Sequence, residues 1–215
     1  MAQARRGAAK FGGLMPAAAG GPRLMTVVRG RPRLLFARNF FANPRGVGSV
    51  IPSSRRLTQR LLAAVDWSAA RTIVEYGPGT GVVTRALLAR MAPEARLFAF
   101  ETNGEFVAYL RRSISDPRLT VIDGSAETVA AVLAAAGLAH CDAAVSSLPF
   151  SIMPPRVRLR IVAATAGVLV PGAPLVGYQY STRWVGELRR AFDHVSIRFE
   201  PRNWPPAFVF TARRD

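Results

Sequence analysis

Two acids and three glycines at fixed spacing are the residues of this chain best suited to chemistry. In Thr72-Ile-Val-Glu-Tyr-Gly-Pro-Gly-Thr-Gly-Val-Val-Thr84, three β-compatible residues lead into Glu75 and then into Gly77-x-Gly79-x-Gly81. Behind Gly81 a helical pattern begins, with Val82, Leu87, Leu88 and Met91. A strand that turns on glycines into a helix lets a ligand approach the backbone without Cβ clashes. Dinucleotide folds use G-x-G-x-x-G, so that a helix N-terminus holds the pyrophosphate. Here the third glycine comes one residue early, and an acid sits two residues before the first. A carboxylate at that place suits an ammonium group, which points to the methionine end of S-adenosylmethionine.

Glu101 supplies a second carboxylate. It ends the apolar run Leu97-Phe98-Ala99-Phe100, twenty residues after Gly81. In nucleotide-binding α/β folds an acid at the end of the second strand accepts hydrogen bonds from both ribose hydroxyls. The residues expected around the cofactor are therefore Glu75, Tyr76, Gly77, Pro78, Gly79, Thr80 and Gly81, then Glu101 and Thr102, then Gly124, Ser125, Ala126 and Ser146.

A third constellation follows the run Asp142-Ala-Ala-Val-Ser146: Ser147-Leu148-Pro149-Phe150. Ligands of parallel sheets sit at the carboxyl ends of the strands, so this loop is where a methyl group would meet its acceptor. A Pro-aromatic step there can offer backbone carbonyls and the Phe150 ring to an amine. Tyr178, Tyr180 and Trp204 are further candidates to line the acceptor site, with Tyr180 first and Tyr178 second as proton acceptor or orienting group. Strand alternation puts the two tyrosines on one face, which also fits ordinary packing.

The elements that must hold these groups alternate. Strands are predicted at 72–76, 96–100, 119–122, 142–146, 173–180, 194–199 and 207–212, and helices at 81–91, 104–114, 126–137, 155–168 and 183–192. Repeated βα units give a mostly parallel sheet with helices on both faces. The last two strands leave no room for a helix between them. Trp204-Pro205-Pro206 makes that turn, so the final strand should run antiparallel. The fold class is α/β, a Rossmann-like seven-stranded methyltransferase sheet. Ahead of it, residues 1–22 read as a disordered basic tail and 23–66 as a basic helical segment, with the catalytic domain at 67–215. A helix is predicted from Pro32 to Ala42, stopped by Asn43-Pro44. A second, capped by Ser53 or Ser54, carries Leu57, Leu61, Leu62 and Val65.

Charge sharpens this division. The chain has 29 basic and 13 acidic side chains, a net of +16. Residues 1–65 hold twelve of the basic ones and no acid, so the remainder carries only 17 − 13 = +4. An unbalanced basic head is an interaction surface for a polyanion, either an anionic membrane or nucleic acid. One cysteine and two histidines argue against a disulfide framework or a metal centre. No apolar run reaches the roughly 18–20 residues of a membrane span.

Taken in order, the motifs resemble two related groups of enzymes. The ribosomal RNA adenine dimethyltransferases have Asn-Leu-Pro-Tyr at the acceptor loop. The bacterial phospholipid N-methyltransferases are similar over a longer stretch, Phe40–Arg213: Asn43-Pro-Arg-Gly-Val-Gly-Ser-Val-Ile-Pro-Ser-Ser54, the glycine loop, Ser-x-Leu-Pro-Phe, Pro154-Pro155, Tyr178-Gln179-Tyr180 and Asn203-Trp-Pro-Pro206. Ser147 stands where the RNA enzymes use an asparagine to hold the flat adenine amine, and the chain is expected to lack the helical RNA-binding domain that follows the sheet in those enzymes. Both departures favour a non-base amine. The family's Gly-Asp-Ala appears as Gly124-Ser125-Ala126, leaving the adenine contact to Ser125 or to Asp123. The resemblance implies an S-adenosylmethionine-dependent N-methyltransferase acting on a phospholipid amine, phosphatidylethanolamine first. It would be a cytoplasmic enzyme held peripherally on an anionic membrane by its basic head. Methylation of ribosomal RNA adenine, or of a small-molecule amine, is the alternative.

Overall fold

A computed structural model of the chain describes residues 55–203 and 205–215. The helix predicted at 32–42, the basic tail, the capping serines and Trp204 lie outside the described residues.

Among the described residues, fourteen successive elements build one sheet and its cover: α1 (Arg55–Leu62), β1 (Thr72–Tyr76), α2 (Val82–Leu88), β2 (Arg96–Glu101), α3 (Gly104–Ser113), β3 (Leu119–Asp123), a 3₁₀ turn (Ala126–Thr128) running into α4 (Val129–Ala135), β4 (Ala143–Ser146), α5 (Pro155–Val168), β5 (Leu175–Gln179), α6 (Val185–Ala191), β6 (His194–Glu200) and β7 (Ala207–Arg213). The strand order is β3-β2-β1-β4-β5-β7-β6. Strands β1 to β5 are parallel, and β7 runs antiparallel between β5 and β6, as the short β6–β7 connection requires.

Strand β1 fixes the two cores. All five of its residues are buried, so it is covered on both faces. Val74 and Tyr76 join Phe98, Phe100 and Ala144 in the core beneath α4, α5 and α6. Ile73 joins Leu97, Ala143, Val145 and Val176 in the other, beneath α1 and α2. Leu57, Leu61 and Leu62 of α1 are fully within this second core. Their spacing makes one helical stripe. Helix α1 thus packs on this face of the sheet.

The order of the strands decides where a ligand can go. From β1 the chain winds outward to β2 and β3, then returns to lay β4 on the other side of β1. Loops leaving adjacent strands at such a switch point diverge and open a crevice. Tyr76 and Ser146 are in register. The Ser147 amide donates to the Tyr76 carbonyl at 2.8 Å, which sets the start of the acceptor loop directly beside the glycine loop.

Candidate active site

The glycine loop leaves β1 through three left-handed residues, with φ of 71° at Gly77, 54° at Gly79 and 78° at Gly81. A Cβ on Gly81 would also lie 2.8 Å from Leu110 Cδ2 and 2.9 Å from Ile114 Cδ1. Conformation and packing both demand glycine there. Arg85 steadies the turn by donating to the Thr80 and Gly81 carbonyls at 2.9 and 3.1 Å.

Glu101 sits at the opposite wall, buried at the end of β2. Its Oε2 accepts from the Gly79 amide at 3.1 Å, and its Oε1 from the Thr102 and Asn103 amides, each at 2.9 Å. A carboxylate has about four lone-pair sites, so one remains for a ribose hydroxyl while one holds the glycine loop and two hold the turn after β2. Burial raises the Glu101 carboxyl above the usual range, the three amides oppose this, and the Asp123 charge adds to it. Gly124 donates to the Glu101 carbonyl at 3.0 Å, which brings the β3 corner to the same wall.

Glu75 lies under the loop. It is fully buried, and neither of its carboxylate oxygens has a hydrogen-bond partner among the described residues. Burial pushes its carboxyl up to about 8; the Thr84 hydroxyl and amide, near but outside hydrogen-bond geometry, oppose the shift weakly, and the Glu101 charge reinforces it. An unpartnered buried carboxylate is costly. An ammonium group delivered to it would remove most of that cost.

Three members of the expected cofactor set have side chains engaged elsewhere. The Tyr76 ring is in the core, edge-on to Phe100 with centroids 5.7 Å apart, and its hydroxyl is bonded by Thr165 at 3.0 Å. The Ser125 hydroxyl caps the 3₁₀ turn at the Glu127 amide and bonds the Glu127 carboxylate at 3.1 Å. An adenine contact at this corner therefore falls to backbone groups or to Asp123, which is exposed. The buried Ser146 hydroxyl accepts from the Leu148 amide at 3.3 Å. Pro78 and Thr80 are buried in the loop, Ala126 is buried in the core beneath α4, α5 and α6, and Thr102 is exposed.

The acceptor loop differs more from expectation. Phe150 is completely buried, its ring 5.0 Å from Trp184 and 6.4 Å from Phe210, so it faces the core and not an acceptor. Three of the loop carbonyls already accept hydrogen bonds. Leu148 accepts from the Phe150 amide and from Gln179 Nε2, Pro149 from the Ile152 and Met153 amides, and Phe150 from Arg158. What the loop does present is one wall of a cavity of about 350 Å³, made by Ser147, Leu148, Pro149, Ser151 and Ile152. Tyr178, Gln179, Tyr180, Ser181 and Arg183 form the other wall. Tyr178 is buried and Tyr180 is 38% exposed, the rings edge-to-face with centroids 6.0 Å apart.

Two residues that hold this wall were not singled out from sequence. Gln179 donates to the Leu148 carbonyl at 2.6 Å and accepts from the Ser151 amide and hydroxyl at 3.2 and 3.0 Å. Arg158 is buried, bonds the Phe150 carbonyl at 2.7 Å and pairs with Glu187 at 2.6 Å. The sequence signal for Arg158 was its place in the buried stripe of α5, three and four residues before Ile161 and Val162. Gln179→Ala is expected to lower kcat while leaving cofactor affinity intact, and to destabilise by about 1–3 kcal/mol through the orphaned Leu148 and Ser151 groups. Steady-state kinetics beside calorimetric cofactor titration checks this.

Over 182 residues, covering 83% of this chain and 94% of the relative, the sequence is 30% identical to an ornithine lipid N-methyltransferase of Singulisphaera acidiphila. The chain belongs to the ornithine lipid N-methyltransferase family. It is a class I S-adenosylmethionine-dependent methyltransferase. A ribosomal RNA small subunit methyltransferase A of Caulobacter vibrioides is 35% identical over 98 residues, but these are 45% of this chain and only 36% of that enzyme. Among solved structures, the 1,6-didemethyltoxoflavin-N1-methyltransferase of Burkholderia thailandensis, with S-adenosylhomocysteine bound, aligns with a TM-score of 0.60 at 17% identity, over 85% of this chain and 86% of that one. No family model matches.

The crevice of this methyltransferase fits its cofactor. The unpartnered Glu75 carboxylate suits the methionine ammonium, and the spare lone pair of Glu101 suits the ribose. The three left-handed glycines keep side chains out of the space between them. Among the described residues no group of three or more His, Cys, Asp and Glu is arranged to hold a metal.

Proposed function

We propose that this methyltransferase N-methylates the amine of a zwitterionic membrane lipid, of the ornithine lipid or phosphatidylethanolamine kind. The observation that carries the reading is the match along nearly the whole length of a lipid N-methyltransferase, against a match to barely a third of the RNA enzyme. The cavity supports it. Its walls carry hydroxyl, aromatic and apolar groups with one amide and one guanidinium, and Ile152 among them is 67% exposed, an apolar side chain suited to acyl chains.

Bound S-adenosylmethionine supplies a methyl group on a sulfonium, open to in-line attack by an amine. The protein has to align the acceptor, dry it and manage one proton. A lipid amine has a pKa of roughly 10 in water and cannot attack while protonated. Enclosure between the Ser147–Ile152 wall and the Tyr178/Tyr180 wall disfavours the ammonium by desolvation. Tyr178 and Tyr180 offer ring faces to a growing positive charge, worth ~0.5–2 kcal/mol each. Tyr180, nearer solvent, is the group placed to accept a hydrogen bond from the amine and pass its proton to water.

Incubating the purified chain with S-adenosylmethionine and, separately, ornithine lipid, phosphatidylethanolamine and ribosomal RNA tests the reading by mass spectrometry. Methylated lipid is expected. Methylated adenine with unchanged lipids would establish the RNA reading instead.

The basic head belongs to the same proposal. No helix among the described residues is long and apolar enough to cross a membrane. Peripheral attachment would rest on the arginines of residues 1–65, each worth about 1 kcal/mol near an anionic leaflet, with Leu35, Phe40 and Phe41 adding an apolar term. Replacing Phe40 and Phe41 together by alanine should weaken co-sedimentation with anionic vesicles at least about ten-fold. Binding by the unmodified chain should fall as salt rises. Unchanged sedimentation of the double variant would remove the insertion step.

A further inference from the structure

The acceptor cavity contains a cation that the methylation chemistry does not call for. Arg183 lines it, three residues beyond Tyr180, and no hydrogen bond or ion pair engages its guanidinium among the described residues. Among the described residues no carboxylate lines the cavity. Glu187, the acid of the following helix, is already bonded to Arg158. Within one cavity of about 350 Å³, an unbalanced guanidinium repels an ammonium-bearing substrate. The repulsion is removed when the substrate carries its own anion a few bonds from the amine.

We propose that Arg183 is a specificity-determining residue that binds the anionic group of the acceptor head, so that this enzyme selects zwitterionic amines over simple cationic ones. The inference rests on the lipid-amine reading above and narrows it. A guanidinium presents a planar fork of donors that matches a carboxylate or a phosphodiester with two parallel hydrogen bonds. Arg183 is exposed and Tyr178 is buried, so the cavity has a wet end and a dry end. The anion is held at the wet end, where its hydration is lost least. The amine is thereby directed to the dry end, where it loses its proton more easily. Ser181, whose hydroxyl accepts from the Arg183 amide at 3.4 Å, and Ser151 add hydroxyls along the route. A carboxylate and a phosphodiester share this chemistry, so ornithine lipid and phosphatidylethanolamine both satisfy it.

The test uses the full chain with ornithine lipid and with its methyl ester, in which the amine is kept and the carboxylate is neutralised. On ornithine lipid, Arg183→Gln should raise KM at least about ten-fold, the loss expected for a charge-assisted pair, with S-adenosylmethionine affinity unchanged. On the methyl ester, Arg183→Gln should turn over at least as well as wild type, because the anion that Arg183 binds is gone and only its repulsion of the ammonium remains. Arg183→Lys should recover part of the loss, as a point charge without the fork. Phosphatidylethanolamine should behave like ornithine lipid. Equal losses on the acid and its ester, or an unchanged KM on ornithine lipid, would overturn the assignment while leaving the lipid-amine reading intact. Wild-type turnover on neither ornithine lipid nor phosphatidylethanolamine would overturn that reading, and this assignment with it.

Discussion

Phe150→Ala is expected to lose about 3–5 kcal/mol of folding stability, the usual cost of removing a fully buried aromatic ring. That is a large share of the total of a typical domain. The ring has no exposed surface, and it packs against both Trp184 and Phe210, whose own centroids are 4.9 Å apart in an edge-on arrangement. Nothing in that packing can collapse easily, because Phe210 also stands 2.6 Å from where a Cβ on Gly177 would be. Urea unfolding should show a lower midpoint, and the fraction that remains folded should bind cofactor normally. Phe150→Leu is the control. It keeps most of the volume, should cost under about 1.5 kcal/mol, and should retain kcat. If Phe150→Ala were as stable as wild type but inactive, the ring would have to reach the acceptor in the working enzyme.

The Phe150 case shows where sequence stops being legible. The glycine loop could be read because left-handed backbone leaves a trace in residue type, and Gly77, Gly79 and Gly81 all use it. The sheet could be read because strands alternate with helices and the β6–β7 connection is too short for a crossover. The position of Ser147–Phe150 at the switch point followed from the same pattern. The orientation of its side chains did not, since alternation ends with β4 at Ser146 and a Pro-aromatic step fits either facing. The engagement of the loop carbonyls is hidden from the sequence for a related reason. Their partners, Gln179 and Arg158, come from other elements, and only the fold brings them there. Tyr76 and Ser125 stand at the right positions in the chain, but Thr165 and Glu127 engage their hydroxyls.

Glu75 gives the second large effect, and its sign follows from burial. In the unfolded chain its carboxyl titrates near 4.5, and in the fold burial pushes it up to about 8. Below about 4.5 the group is neutral in both states and costs nothing. As pH rises through that value the unfolded chain gives up the proton while the fold retains it, so stability falls. The fall ends near 8, where the folded carboxyl ionises too, and it amounts to about 5 kcal/mol at most. The cofactor reverses this. An ammonium beside Glu75 favours the carboxylate, so binding below about 8 must release a proton, and affinity should rise up to about ten-fold per pH unit before levelling off. Glu75→Gln keeps the shape and removes the titration. Without cofactor it should be more stable than wild type at pH values near 8. With cofactor it should bind more weakly there, and lose most of the pH dependence that Glu101 does not account for. Thermal unfolding across pH, with and without S-adenosylmethionine, and calorimetry in buffers of different protonation enthalpy read both effects. A Glu75→Gln protein that binds with wild-type affinity and the wild-type proton release would show that the ammonium is held elsewhere.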